Sequence, residues 1–359
     1  MTRSRFIAAF VIVGVLLGAV AYNLRQPSQP SHQGRGINAW LRELNSAISR
    51  NDFQKRHEAE KAVQAIGAQA APYIVAHLRR SNSVWRRNYR NLFPKLPAWL
   101  QGRIPSPREE FTFFTGNIAF FAIGAPAKPA LIRGLRDYSP EVRMASAHTL
   151  GALAHYDIRD SVPALIECLR DTDAGVRCCS ALTLGSLGPD AVAAIPGLIS
   201  LLKDPQTTNQ GRAFMVRSAA ARALGKIGHP ATSALPALRA TLTDPEPYDR
   251  GIVAIAIWRI EPKATNTLPV LIEALRLVPD GPNNELYEGL GEMGAGIGVQ
   301  AKEAFPVLLK ELTVRRTSGV LLNPVALRNI TNALIRIDPE AAARAGVRPP
   351  ATNGPPRPR

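Results

Sequence analysis

The side chains that could do chemistry are few in this chain of 359 residues, and they are scattered. Three cysteines, Cys168, Cys178 and Cys179, are too few for a disulfide scaffold or a Cys-rich zinc module. Small apolar packing accounts for all three, and a Cys168–Cys178 disulfide across the hairpin is the lesser alternative, suited to an oxidising compartment. The six histidines, His32, His57, His77, His148, His155 and His229, never fall at ligand spacing. There is no H-E-x-x-H, no Cys-x-x-Cys and no G-x-S-x-G. Gly294, Gly296 and Gly298 imitate a phosphate loop, but they follow a helical pattern and not a strand. No catalytic residue, cofactor or metal site is therefore assigned. The segment 79–95, RRSNSVWRRNYRNLFPK, is the one cluster that suggests a ligand. Its Arg79, Arg80, Arg87 and Arg90, interleaved with Trp85, Tyr89 and Phe93, combine cations with stacking rings. Lipid headgroups or single-stranded nucleic acid would use such a combination.

The distribution of charge decides how far that cluster can be generalised. The chain carries +16 overall, which by itself suggests a polyanion as partner. Residues 1–123 hold 17 basic and 6 acidic side chains, net +11. Residues 124–343 hold 23 and 22, net +1, and residues 344–359 hold 4 and 0, net +4. The basic excess thus belongs to the two ends, and a nucleic-acid-binding body is not expected.

The first 22 residues read as a membrane segment. Arg3 and Arg5 precede an uncharged apolar run from Phe6 to Tyr22, about the minimum length that spans a bilayer core. Either it is an uncleaved anchor, or it is a signal peptide cut after Ala19-Val20-Ala21. Both place the body in the periplasm or outside the cell. Residues 23–36 then form a flexible polar linker, and residues 344–359, rich in Pro and Arg, a disordered basic tail.

The elements that position everything else come from an internal repeat. Prolines at 129, 163, 196, 236, 269 and 306 each open an apolar helical pattern, as in SVPALIECLRDTDAGVRCCSALTLGSLG. The proline suits a helix's first turn, where its missing N–H is not needed. An Asp follows (Asp137, Asp171, Asp204, Asp244) and is expected to cap a second helix. That helix carries an Arg near its start (Arg143, Arg177, Arg217, Arg250) and a glycine near its end. Gly151, Gly185 and Gly225 would let helices approach closely, and Gly188 and Gly228 sit where a helix should stop. No β-branched alternation predicts a sheet. Residues 37–123 hold more diverged units: AVQAIG at 62–67, AFFAIG at 119–124, a first helix from Pro72, and an irregular stretch at 94–107. In this register Arg86 matches Arg143 and Arg177, and Leu92 matches Leu184. Trp40, Leu41 and Leu44 suggest a helix that caps the open end of a stack.

This pattern resembles HEAT repeats, in particular the short bacterial HEAT-like type found in the phycobilin-lyase-like group. The resemblance spans 53–343 and is strongest over 124–262. It implies an all-α, right-handed α-solenoid of stacked helical hairpins, preceded by one N-terminal hydrophobic helix. It also implies a structural ladder in which the turn aspartates and second-helix arginines pair along the stack, broken where Asn283 and Leu327 replace the Arg. On the same resemblance, second-helix positions facing the concave side include Arg222, Lys226, Arg259, Glu288, Glu292, Arg328 and Arg336. That mixture of signs predicts a peptide or protein partner. The function expected is a non-catalytic interaction scaffold tethered to, or exported across, a membrane. The alternatives are a lyase-like enzyme handling a tetrapyrrole, and an anionic-polymer or nucleic-acid binder using the basic N-terminal units.

Overall fold

A computed structural model of the protein describes residues 29–81, 91–97, 99, 112–205, 216–243, 247–262, 264, 267–277, 284–297, 302, 304–317 and 324–348. It is built almost wholly of helices, and it divides into two compact units between Ala130 and Leu131.

The first unit opens with a β-hairpin, β1 (Ser31–His32) paired antiparallel with β2 (Arg35–Gly36). Gln33 and Gly34 both have positive φ, as a tight two-residue hairpin turn requires. Trp40 holds it down: its Nε1 donates to the His32 carbonyl at 3.2 Å, and the Arg35 guanidinium lies 4.0 Å from the ring centroid. The end of the expected linker 23–36 is thus a short sheet that the apolar pattern did not announce. Helix α1 (Ile37–Ser49) buries Ile37, Trp40, Leu41 and Leu44, one stripe at helical spacing. It packs on α2 (Phe53–Ile66), and both meet α4 (Phe113–Ile123), which also receives α3 (Ala71–Ser81). A buried polar bond ties α1 to α4: Thr115 Oγ1 donates to Asn45 Oδ1 at 2.8 Å. Leu92 is 54% exposed, whereas Leu184 is fully buried, so the repeat register drawn through 72–92 does not hold at that position.

The second unit is a stack of helix pairs. Its first-position helices are α5 (Lys128–Gly134), α7 (Val162–Cys168), α9 (Ile195–Leu201), α11 (Leu235–Ala240), α13 (Leu268–Leu277) and α15 (Phe305–Thr317). The second-position helices are α6 (Pro140–Ala152), α8 (Ala174–Ser186), α10 (Val216–Ile227), α12 (Pro247–Ile260), α14 (Asn284–Ile297) and α16 (Pro324–Ile337). Each second helix packs on the next, from α6 through to α16. Pro163, Pro196 and Pro236 lie in the first turns of α7, α9 and α11, as their chemistry demands.

Two glycine roles explain the spacing. A Cβ on Gly185 would sit 2.8 Å from the Ala223 Cα, and one on Gly225 would sit 2.8 Å from the Ala256 Cα, so the backbones touch there. Gly228 stops α10 at φ 77°, ψ −145°, a conformation that only glycine adopts without strain. Gly67 and Gly124 end α2 and α4 at nearly the same angles.

Residues 338–348 add one more short element. Asp338 accepts from the Ala341 N–H at 3.0 Å and caps α17 (Pro339–Arg344). Gly346 turns the chain at φ 71°, and Val347 is buried. Residues 344–348 therefore belong to the fold, and 349–359 lie outside the described residues.

The expected membrane-anchored localisation is corrected. No helix among the described residues is long and apolar enough to cross a membrane. The longest run to 14 residues, short of the roughly 20 that a bilayer core requires. The apolar run at 6–22, the expected N-terminal hydrophobic helix, lies outside the described residues.

Candidate functional site

The aspartates and arginines of the repeat form a ladder whose rungs reach forward. Arg143 pairs with Asp171 of the following unit through two bonds, Nε to Oδ2 at 2.7 Å and Nη2 to Oδ1 at 2.8 Å. Its Nη1 donates to the Asp137 and Tyr138 carbonyls at 2.8 and 3.1 Å, which ties its own turn. Arg177 repeats this with Asp204, at 2.8 and 3.0 Å, and with the carbonyls of Asp171 and Thr172. Pairing with Asp171 holds the Arg143 guanidinium above its ordinary pKa, against the opposing pull of burial. The later rungs are looser and use other carboxylates: Arg217 lies 3.6 Å from Asp249, and Arg250 lies 3.6 Å from Glu273. Asp244, the expected rung there, lies outside the described residues.

Two of the turn aspartates, Asp137 and Asp171, are not the caps of their second helices. Asp137 and Asp171 accept from the N–H two residues on, at Ser139 and Asp173, closing small turns. The cap of α8 is Asp173, which accepts from the Val176 N–H at 3.0 Å. Asp171 gives both oxygens to Arg143, and its Oδ1 also accepts the Asp173 N–H.

The candidate partner face lies on α10, α12, α14 and α16. Four of its charged residues neutralise one another across helices. Arg222 of α10 pairs with Glu285 of α14, and its Nη2 donates to the Tyr248 hydroxyl of α12 at 2.6 Å. Arg259 of α12 holds Glu292 of α14 at 2.9 and 3.0 Å and lies 3.9 Å from Glu285. Burial pulls the Arg259 guanidinium down, but its pairing with Glu292 and the nearby Glu285 and Glu288 leaves it raised overall. Burial likewise raises the Tyr248 phenol, and Arg222 acts in the opposite direction. This half-buried cluster bolts three successive repeats together. Tyr248 and Glu285 escaped the sequence reading. Glu285 was within reach of it, because 285, 288 and 292 share one helical face.

Lys226, Glu288, Arg328 and Arg336 behave differently. All four are exposed, and no ion pair holds them among the described residues. The repeat register puts them on the same face as the cluster, with Lys226 one turn beyond Arg222 and Glu288 between Glu285 and Glu292.

The other candidate groups do not converge. Arg79 is exposed at the end of α3. Of Arg80 the structure describes only the backbone, and Arg87 and Arg90 lie outside the described residues. The three cysteines are buried free thiols. Burial pushes Cys168 and Cys178 up to about 11 and raises Cys179 as well, so none supplies a thiolate near neutral pH. Among the described residues, no group of three or more His, Cys, Asp or Glu could hold a metal ion.

Comparison with known proteins gives these features a family. Residues 129–213 match HEAT repeats, and residues 216–244 match the PBS lyase HEAT-like repeat. No curated protein matches the chain. Among solved structures, the complex of CpcE and CpcF of phycocyanin lyase from Nostoc sp. PCC7120 is similar at 21% identity and TM-score 0.42, over 87% of this chain and 98% of that one. An engineered protein is similar at 18% identity and TM-score 0.37, over 58% of this chain and 96% of its own. A second engineered protein has the same identity and TM-score, over 82% of this chain and 77% of its own. The proline-led hairpins, the touching glycine backbones and the forward-reaching Arg–Asp rungs agree with those repeat matches: the chain carries HEAT repeats over residues 129–213 and a PBS lyase HEAT-like repeat over residues 216–244.

Proposed function

We propose that the protein is a non-catalytic interaction scaffold that binds a peptide or protein partner along the face of its second-position helices. The observation that carries this reading is the exposed set Lys226, Glu288, Arg328 and Arg336, which no ion pair holds among the described residues, set beside a cluster paired across helices. Repeat stacks present continuous surfaces of this kind for extended partners. The expected ladder residues Asp137, Asp171, Asp204, Arg143, Arg177, Arg217 and Arg250 serve cohesion in this reading, and Arg222, Arg259 and Glu292 join them. A lyase-like activity has the repeat type matched at 216–244 in its favour. Its chemistry has no starting point in the three buried, protonated thiols.

The test is a direct binding measurement. Partners captured on the full chain are identified by mass spectrometry, purified and titrated against wild type and Leu182→Arg/Ser186→Arg. Both positions lie on α8 in the same register and face outward at least in part. Loss of binding by tenfold or more, with unchanged thermal melting, is the expected result. Equal binding by both proteins would overturn the assignment of the face.

A further inference from the structure

We infer that this face accepts an acidic peptide segment, gripped through Lys226, Arg328 and Arg336; the inference rests on the scaffold reading above. The argument is one of residual charge. Arg222 and Arg259 are the obvious anion-binding residues by type, but both are half-buried and committed to Glu285 and Glu292. A ligand carboxylate would have to displace an intramolecular partner that is already in place, so these two contribute little to recognition. The cations left over are Lys226 on α10 and Arg328 and Arg336 on α16, all exposed. The anion without an ion pair is Glu288 on α14, which is exposed and acts on Arg259 only at longer range. Three positive groups against one negative select a partner of net negative charge.

Their placement also selects the class of partner. Lys226 and the α16 arginines are separated by α12 and α14, that is, by three interhelical steps. At about 8–10 Å per step the span is roughly 24–30 Å, which an extended chain of about nine residues covers at roughly 3.3 Å per residue. Glu288 lies between the two positive ends. The uniform phosphate backbone of a nucleic acid would meet that carboxylate unfavourably. A peptide can place carboxylates at its ends and a neutral or basic side chain in the middle. On α16 the exposed stripe 328, 332 and 336 lies opposite the buried Ile330, Leu334 and Ile337, so both arginines are presented outward together.

The experiment uses the full chain and two fluorescein-labelled ten-residue peptides, one all glutamate and one with glutamates at both ends around a central lysine. A short duplex DNA is run in parallel, all by fluorescence anisotropy at low salt. Wild type is expected to bind both peptides and to prefer the one with the central lysine. Lys226→Glu/Arg328→Glu/Arg336→Glu should weaken that peptide by about tenfold, the summed effect of three exposed ion pairs. Arg133→Glu/Arg170→Glu/Lys203→Glu makes the same change in net charge at exposed positions away from this face, at or just beyond the first-position helices. It should weaken binding by less than threefold. Glu288→Gln should abolish the preference for the central lysine. Equal losses in the two triple variants, or no loss in either, would overturn the inference. So would a loss confined to duplex DNA, which would assign these residues to nucleic acid. In each of those cases the scaffold reading stands if Leu182→Arg/Ser186→Arg still releases its protein partner, and it falls if that variant also binds normally.

Discussion

At the residue scale, the central fact is that an arginine's position in a repeat does not state its employment. Arg177 and Arg259 sit in equally regular helical patterns. Arg177 is 9% exposed at its side chain and pairs with Asp204 at 7%. Arg259 faces the same side as the candidate ligand surface and is held by Glu292. The buried ladder rung gives a direct stability prediction. Arg177→Ala leaves Asp204 without its bidentate partner and should cost about 3–5 kcal/mol in urea denaturation followed by circular dichroism. Arg177→Met/Asp204→Leu removes both charges together and should cost far less. If the double variant were as unstable as the single one, apolar packing and not the ion pair would account for the loss.

At the scale of elements, the distance between second helices is set by glycine. At Gly225 the neighbouring α12 backbone stands where a side chain would begin. Gly225→Ala should therefore lower the thermal midpoint, because overpacking costs about 1–3 kcal/mol and outweighs the roughly 1 kcal/mol that alanine gains in helix propensity. Ser186→Ala, at an exposed position of α8, is the matched control and should leave the midpoint nearly unchanged. The last helix offers a pH test. The Ala341 N–H and Lys302, at 3.1 Å, both favour the charged form of Asp338 and hold its carboxyl below the ordinary value of 3.8. A lowered folded pKa means that the stabilisation is complete above the ordinary value and is lost as pH falls through the folded one. Amide exchange in 339–344, corrected for intrinsic rates, should thus speed up below pH 4, and Asp338→Asn should blunt that change.

At the scale of the whole molecule, charge is segregated. The +16 of the chain comes mostly from residues 1–123 and the end, while 124–343 carries only +1. Within that nearly neutral stretch the ladder and the Arg222–Glu285 and Arg259–Glu292 pairs engage Arg143, Arg177, Arg217, Arg250, Arg222 and Arg259. A high isoelectric point therefore misdescribes the repeats as a polyanion-binding surface. On the face of the second-position helices, the exposed charges without an ion pair are the spaced set Lys226, Glu288, Arg328 and Arg336, which suits the proposed peptide contact better than counterion-driven binding to nucleic acid.

The sequence by itself determined the hairpin period, the helix starts and stops, and the residues of the first two rungs, Arg143–Asp171 and Arg177–Asp204. These follow from local rules: proline in the first turn, glycine at the stop and at helix contacts, and an apolar stripe at helical spacing. It did not reveal the β-hairpin at 31–36, whose two-residue strands are too short to show alternation and depend on Trp40. It could not distinguish the Asp171 rung from the Asp173 cap, because both aspartates suit a turn. Above all it could not separate Arg222 and Arg259 from Lys226, Arg328 and Arg336. That distinction rests on Glu285 and Glu292, carboxylates from helices one and two further along the stack. Only tertiary structure decides which charges meet across such gaps, because an ion pair forms between helices that the stack brings together and leaves no trace in the periodicity of either one.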